Sequence, residues 1–177
     1  MVKLLLAAGA KVDAATHQGY TPLIDASKHG HTEVVTLLLT AHADVNAASE
    51  DTGNSLMLAS QGGYADVVKL LLAAGTKVDA VASNGATSLF LAAGTGHAAV
   101  VRLLLAAHAN VNITGPNGWT PLWIASGDGH PDVVKLLLAA GANPKAAASD
   151  GTTAVTIASQ RGHPDIVQLL RAAGAGK

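Results

Sequence analysis

A chain of 177 residues with eleven basic and twelve acidic side chains has a formal charge of −1, and neither sign is gathered into a run, so no electrostatic footprint for nucleic acid or an anionic membrane is present. It contains no cysteine, which excludes disulfides, thiolate metal sites and cysteine nucleophiles and suits a reducing compartment, so the cytoplasm or nucleus is expected. The longest apolar runs, such as VKLLLAAGA from Val2 and VVRLLLAAHA from Val100, fall far short of the ~20 residues of a membrane span, and MVKLLLAAGAK lacks a basic leader, so neither a membrane partner nor a signal peptide is expected.

One period organises the whole chain. Leu23, Leu56, Leu89, Leu122 and Val155 stand 33 residues apart, as do Ala26, Ala59, Ala92, Ala125 and Ala158. Gly30, Gly63, Gly96, Gly129 and Gly162 keep the step, each followed by His31, Tyr64, His97, His130 or His163. A period of this length marks a solenoid of stacked units, each of which buries its apolar face only against its neighbours.

In chain order, residues 1–15 read as the rear half of a unit, beginning inside a second helix whose Val2, Leu5 and Leu6 lack a preceding first helix. On this reading the chain is a fragment of a longer array or a trimmed one. Full units follow at 16–48, 49–81, 82–114 and 115–147, and residues 148–177 form a capping unit whose apolar columns soften through Thr156 and Arg171. The 177 residues therefore make a single domain.

Each unit predicts two short helices and a reversing connection. Thr21, Asn54, Thr87, Thr120 and Thr153 are side chains that accept from an orphan helical amide, so each is an N-cap of a first helix. Pro22 and Pro121 follow in the first turn, where a missing N–H costs nothing. The first helix ends near the glycine-histidine pair. A second begins there, with Pro131 and Pro164 in its first turn and Asp132 and Asp165 next to the positive end of its dipole. The leucine block, VVKLLL at Val133 for example, covers a wide apolar arc. Gly9, Gly75, Gly141 and Gly174 then read as left-handed C-caps, and a polar connection of about a dozen residues forms a protruding turn.

Two departures stand out. His42 and His108 occupy the left-handed glycine position, where a Cβ costs about 1 kcal/mol and less for histidine. EDTGNSL from Glu50 places its glycine one residue later than HQGYTPL does, so the second hairpin tip should differ.

The period, the GYTPL and GWTPL openings, the glycine-histidine pair and the VVxLLLxxGA helix resemble ankyrin repeats across essentially the whole chain. That resemblance implies an all-α ankyrin-repeat solenoid of stacked helix-turn-helix units with protruding hairpin loops. In the family a histidine usually follows TPL, whereas this column reads Ile24, Met57, Phe90, Trp123 and Thr156. It predicts an apolar ladder on adjacent first helices, with a displayed ligand surface as the alternative.

Chemistry is not expected. Four of the eight histidines fall in the glycine-histidine column and read as a shared structural hydrogen bond. His29 and His31 could approach one metal, but the repeat places no third ligand. The serines Ser27, Ser60, Ser126 and Ser159 recur as small packing residues rather than as a nucleophile beside a base. No catalytic residue, cofactor or metal is assigned. NIT at Asn112 matches the glycosylation sequon by chance. Ankyrin repeats also serve as substrates of an asparagine hydroxylase, and Asn46 in LLLTAHADVN resembles its target, a plain turn-shaping role being the other reading.

The resemblance implies binding of a protein partner through a concave face of hairpin tips and first helices, by a monomer. Carried over residue by residue, that face comprises His17, Gln18, Tyr20, Lys28 and His29 in the first full repeat, and Glu50, Asp51 and Gln61 in the second. Ser83, Asn84, Ala86 and Thr95 follow in the third, and Pro116, Asn117, Trp119 and Asp128 in the fourth. Ser149, Thr152, Gln160 and Arg161 complete it in the fifth. Trp119 is expected as an exposed anchor and Trp123 as a buried one. With only 13% charged residues the face reads as bland, which keeps open a spacer, an intramolecular regulatory segment or an engineered scaffold of the same family.

Overall fold

A computed structural model describes residues 1–175. Its helices alternate short and longer along the chain: α1 (Val2–Ala7), α2 (Pro22–Lys28), α3 (Thr32–Thr40), α4 (Ser55–Gln61), α5 (Ala65–Ala73), α6 (Ser88–Gly94), α7 (Ala98–Ala106), α8 (Pro121–Gly127), α9 (Pro131–Ala139), α10 (Ala154–Gln160) and α11 (Pro164–Ala172). A two-stranded antiparallel pair, β1 (Ala48–Ser49) with β2 (Gly53–Asn54), closes the second hairpin.

Each first helix starts where its cap residue stands. The side chains of Thr21, Asn54, Thr87, Thr120 and Thr153 accept from the amide three residues on, at 3.0–3.3 Å. After seven helical residues the chain reverses through a glycine at positive φ and enters the second helix. The first helices α2, α4, α6, α8 and α10 pack in one row, and the second helices α3, α5, α7, α9 and α11 in another. Between the rows runs one continuous core, from Leu23 and Leu38 through Leu71 and Leu104 to Ile166 and Leu170. The solenoid therefore has a core only because units stack.

The second helices end as the glycine pattern predicts, with Gly9, Gly75, Gly141 and Gly174 at φ between 81° and 90°. His42 and His108 adopt the same left-handed turn at φ 63° and 62°. The backbone shape is kept and its strain accepted, because the turn is set by packing on both sides.

Beyond each C-cap lies a rung that ties neighbouring loops. The side-chain oxygens of Asp13, Asn46, Asp79 and Asn112 accept from the backbone amides of Asp44, Lys77, Asn110 and Asn143, each 31 residues on, at 2.8–3.0 Å. Asn46 thus does more than shape its own turn. Asn112 also donates to the Gly141 carbonyl at 3.3 Å, so both ends of its amide are engaged.

The hairpins differ where the glycine shifts. In the first, third, fourth and fifth units the amides of Thr16, Ala82, Gly115 and Ala148 donate to the carbonyl four residues later. The second instead pairs Ala48 with Asn54 and Ser49 with Gly53, with Gly53 at φ 81°.

Candidate functional site: the hairpin and first-helix face

The histidine column is the device that holds this face in register. Nε2 of His97, His130 and His163 each contacts a backbone carbonyl 36 residues back, that of Gln61, Gly94 and Gly127, at 2.9–3.1 Å. Each ring also sits over the left-handed glycine of the preceding unit. A Cβ on Gly63, Gly96 or Gly129 would lie 2.5–2.6 Å from the ring of His97, His130 or His163, and one on Gly30 would lie 2.5 Å from that of Tyr64. Here glycine is demanded twice, by φ and by the neighbour's ring. Among the described residues no three His, Asp or Glu side chains converge as a metal site.

The expected face residues fall into distinct groups. His17, Gln18, Glu50, Asp51, Gln61, Ser83, Asn84, Thr95, Asn117, Ser149 and Gln160 are exposed. Hairpin tips are tied to one another through backbone: Glu50 donates to the Gln18 carbonyl at 3.1 Å and Ser149 to that of Asn117 at 2.9 Å. Ser83 donates its hydroxyl to the Glu50 carbonyl at 3.0 Å. Asn117 itself stands at φ 56°, an excursion asparagine tolerates. Lys28 lies 5.9 Å from the Tyr20 ring centroid, and His29 stacks on His31 at 5.9 Å. Asp128 and Arg161 form an ion pair from the fourth unit to the fifth.

Three expectations are corrected. Ala86 is not presented: it is only 3% exposed. Thr152 is committed internally, accepting from Trp123 Nε1 at 3.1 Å and donating to Asp150 at 2.6 Å. That hydroxyl and the Thr152 amide hold the exposed Asp150 carboxyl below its ordinary pKa. Trp119 is no free-standing anchor, since its indole stacks on Trp123 with centroids 4.5 Å apart and it is half-buried.

The apolar ladder is buried as expected at Ile24, Met57, Phe90 and Trp123, while Thr156 is half-exposed. Its contacts also run sideways into hairpins. Phe90 fills the space beside Gly115 of the next unit, and Trp123 packs with Ala148 and Ile157.

One column of the period escaped the sequence reading. Leu58, Leu91, Ile124 and Ile157 follow the ladder by one position and form an aliphatic stripe along this face, preceded by Asp25. Leu91 and Ile124 are partly exposed, and Ile124, like Trp119, packs against the cluster of Trp123, Ala148 and Ile157. Gly94 and Gly127 make room for it, for a Cβ on either would lie 3.0 Å from Ile124 or Ile157. The 33-residue step was the available signal, masked by the charged first member. Along this face Leu91 shares a groove with Asn84, and Ile124 stands with Asp128 beside Gly94.

The family model "Ankyrin repeats (3 copies)" matches residues 1–49, 56–148 and 89–177. No curated protein matches the chain. Among the described residues no helix is long and apolar enough to cross a membrane.

Proposed function

The chain belongs to the ankyrin-repeat family, and from that premise we propose that it recognises a protein partner through its hairpin tips and first helices, without enzymatic chemistry. Ankyrin repeats are generally protein–protein interaction modules and typically non-enzymatic. The observation that carries the reading is that Leu91, Ile124 and Trp119 are partly exposed among the exposed polar side chains Asn84, Thr95 and Asp128 of the hairpins and first helices. Binding energy in protein interfaces concentrates at a few side chains that binding desolvates, above all tryptophan, while polar neighbours exclude water and set orientation. A monomer in the cytoplasm or nucleus is the setting proposed for it. The exposed positions His17, Gln18, Glu50, Asp51, Gln61, Ser83, Asn117 and Gln160 form its outer contacts.

A photo-cross-linking amino acid placed at Thr95 or Gln61, on this face, tests the reading against one placed at Lys69 or Lys135, on second helices. Cross-links to a partner from extract are expected from the first pair alone, and their loss on Ile124→Glu. Equal yields from both pairs sink the assignment, and a spacer gives none from either.

A further inference from the structure

Six of the seven asparagines have their carboxamides engaged: the side-chain oxygens of Asn46, Asn54, Asn84, Asn110, Asn112 and Asn143 each accept from a backbone amide at 2.8–3.1 Å. Among the described residues Asn117 is the exception, exposed at the tip of the fourth hairpin with no hydrogen bond to its side chain. It is followed by Gly118, so no Cβ shields the next amide nitrogen along the chain. Asn84 also precedes a glycine, but its carboxamide oxygen takes the Ala86 amide at 3.0 Å and the Gly85 amide is held on the Ala82 carbonyl at 2.8 Å. At the fourth tip the equivalent bond, from Gly118 to the Gly115 carbonyl, is longer at 3.2 Å. Asn117 also stands in the left-handed region, at φ 56° and ψ 22°.

We propose that Asn117 is a site of spontaneous deamidation, a modification for which water is the only co-reactant. The Gly118 nitrogen attacks Cγ of Asn117. The N–Cγ bond forms as Cγ–Nδ2 breaks, and Nδ2 leaves as ammonia with the proton given up by the Gly118 nitrogen. Water then opens the five-membered imide. Opening at Cγ yields aspartate, and opening at the main-chain carbonyl yields isoaspartate, in which the chain runs through Cβ; nothing is oxidised or reduced. Ring closure requires the tip to turn away from ψ 22°, releasing the Gly118 amide from Gly115 and the Asn117 carbonyl from the Ser149 amide, 2.9 Å away. Exposed hairpin tips open in this local way most readily. The product carries a new negative charge, and as isoaspartate it has an added backbone atom at the residue that ties the fourth hairpin to the fifth. The tie to Ser149 is then lost with the peptide carbonyl that makes it. This chemistry stands independently of what the face recognises.

The test ages the whole chain at mildly alkaline pH and physiological temperature, then maps it by proteolysis and mass spectrometry, with isoaspartate read by isoaspartyl methyltransferase labelling. Conversion at Asn117 should run several-fold faster than at Asn84, and slower still at the five asparagines not followed by glycine. Protection of the Ser149 amide against hydrogen exchange should fall in step. Asn117→Gln, whose longer side chain closes a ring far more slowly, should remove most of the labelling and leave the rate at Asn84 unchanged. Conversion of Asn84 as fast as Asn117 overturns the proposal, as does labelling that persists in Asn117→Gln. So does an Asn117 that stays intact while a free peptide copying residues 114–120 converts. Conversion at Asn117 with Ser149 protection unchanged overturns the loss of the hairpin tie.

Discussion

The indole of Trp119 lies flat on that of Trp123, centroids 4.5 Å apart and planes 3° from parallel, although the two residues stand on opposite sides of the Thr120 cap. The hairpin and the first helix of the fourth unit are joined through this stack, and Trp123 extends the join to the fifth unit through Thr152. Trp123→Ala should therefore cost about 3–5 kcal/mol, as deletion of a buried large aromatic does. Trp119→Ala should cost about 1–2 kcal/mol, from half a buried ring and a lost aromatic pair. Urea denaturation of the two variants and the double variant measures both terms and their coupling. An unchanged midpoint for Trp119→Ala would show that the stack contributes nothing to the fold.

Glycine in the histidine column is required for two separable reasons, and two positions separate them. Gly162 has φ 79° with nothing near its absent Cβ, whereas Gly96 has φ 77° with the His130 ring 2.6 Å away. Gly162→Ala should cost about 1 kcal/mol of backbone strain alone. Gly96→Ala should cost roughly 2–4 kcal/mol, because the ring must move as well and overpacking adds to the strain. Equal losses in the two variants would mean that the ring gives way freely.

How much of this was legible follows from what a period can carry. Columns such as Gly30 to Gly162, one residue type throughout, and Thr21 to Thr153, threonine but for Asn54, mark turns and caps directly, because each residue does a job next to itself in the chain. The rung of Asp13, Asn46, Asp79 and Asn112 alternates two residue types that share only an acceptor oxygen, and its partner lies 31 residues on, so neither identity nor local chemistry exposes it. The histidines were readable as structural, but the carbonyls they reach 36 residues back were not. Misreadings gathered on the hairpin and first-helix face. Exposure there depends on how neighbouring units close around a side chain, which the period alone does not carry: Ala86 is buried and Leu91 partly open.

The two histidines in left-handed turns offer an improvement in stability. At φ 63° and 62°, His42 and His108 bear a strain that Gly75 and Gly141 at the same place do not. His42→Gly and His108→Gly should each stabilise by about 0.5–1 kcal/mol, the strain relieved slightly exceeding the extra freedom glycine gives the unfolded chain. Thermal melts of the single and double variants check this. A fall in melting temperature would indicate that the imidazoles make contacts worth more than the strain.

Ser27, Ser60 and Ser126 are fully enclosed between first helices, and among the described residues their hydroxyls have no hydrogen-bond partner. The third unit already carries Ala93 at this position. An enclosed hydroxyl without a partner loses its hydration for nothing, so Ser60→Ala and Ser126→Ala should leave stability unchanged or raise it by up to about 1 kcal/mol. A loss beyond about 1 kcal/mol would instead reveal a hydrogen bond to water or to the helix backbone.

The last expectation concerns where the solenoid opens first. Leu5 and Leu104 occupy the same column of the period, yet Leu5 is 54% exposed and Leu104 fully buried. The difference is the first helix that covers Leu104 from within its own unit, which α1 lacks among the described residues. In a solenoid each unit is stabilised by its neighbours, and α1, none of whose residues is buried, packs mainly on α3. Its amides should therefore exchange through local opening, with free energies near zero, while those of α7 exchange only with most of the array unfolded. Hydrogen exchange read at Leu4 to Ala8 and at Leu103 to Ala107 distinguishes the cases. Equal protection in the two segments would mean that α1 is covered by something other than the stack of units, such as a second copy, and raising the protein concentration would then increase its protection.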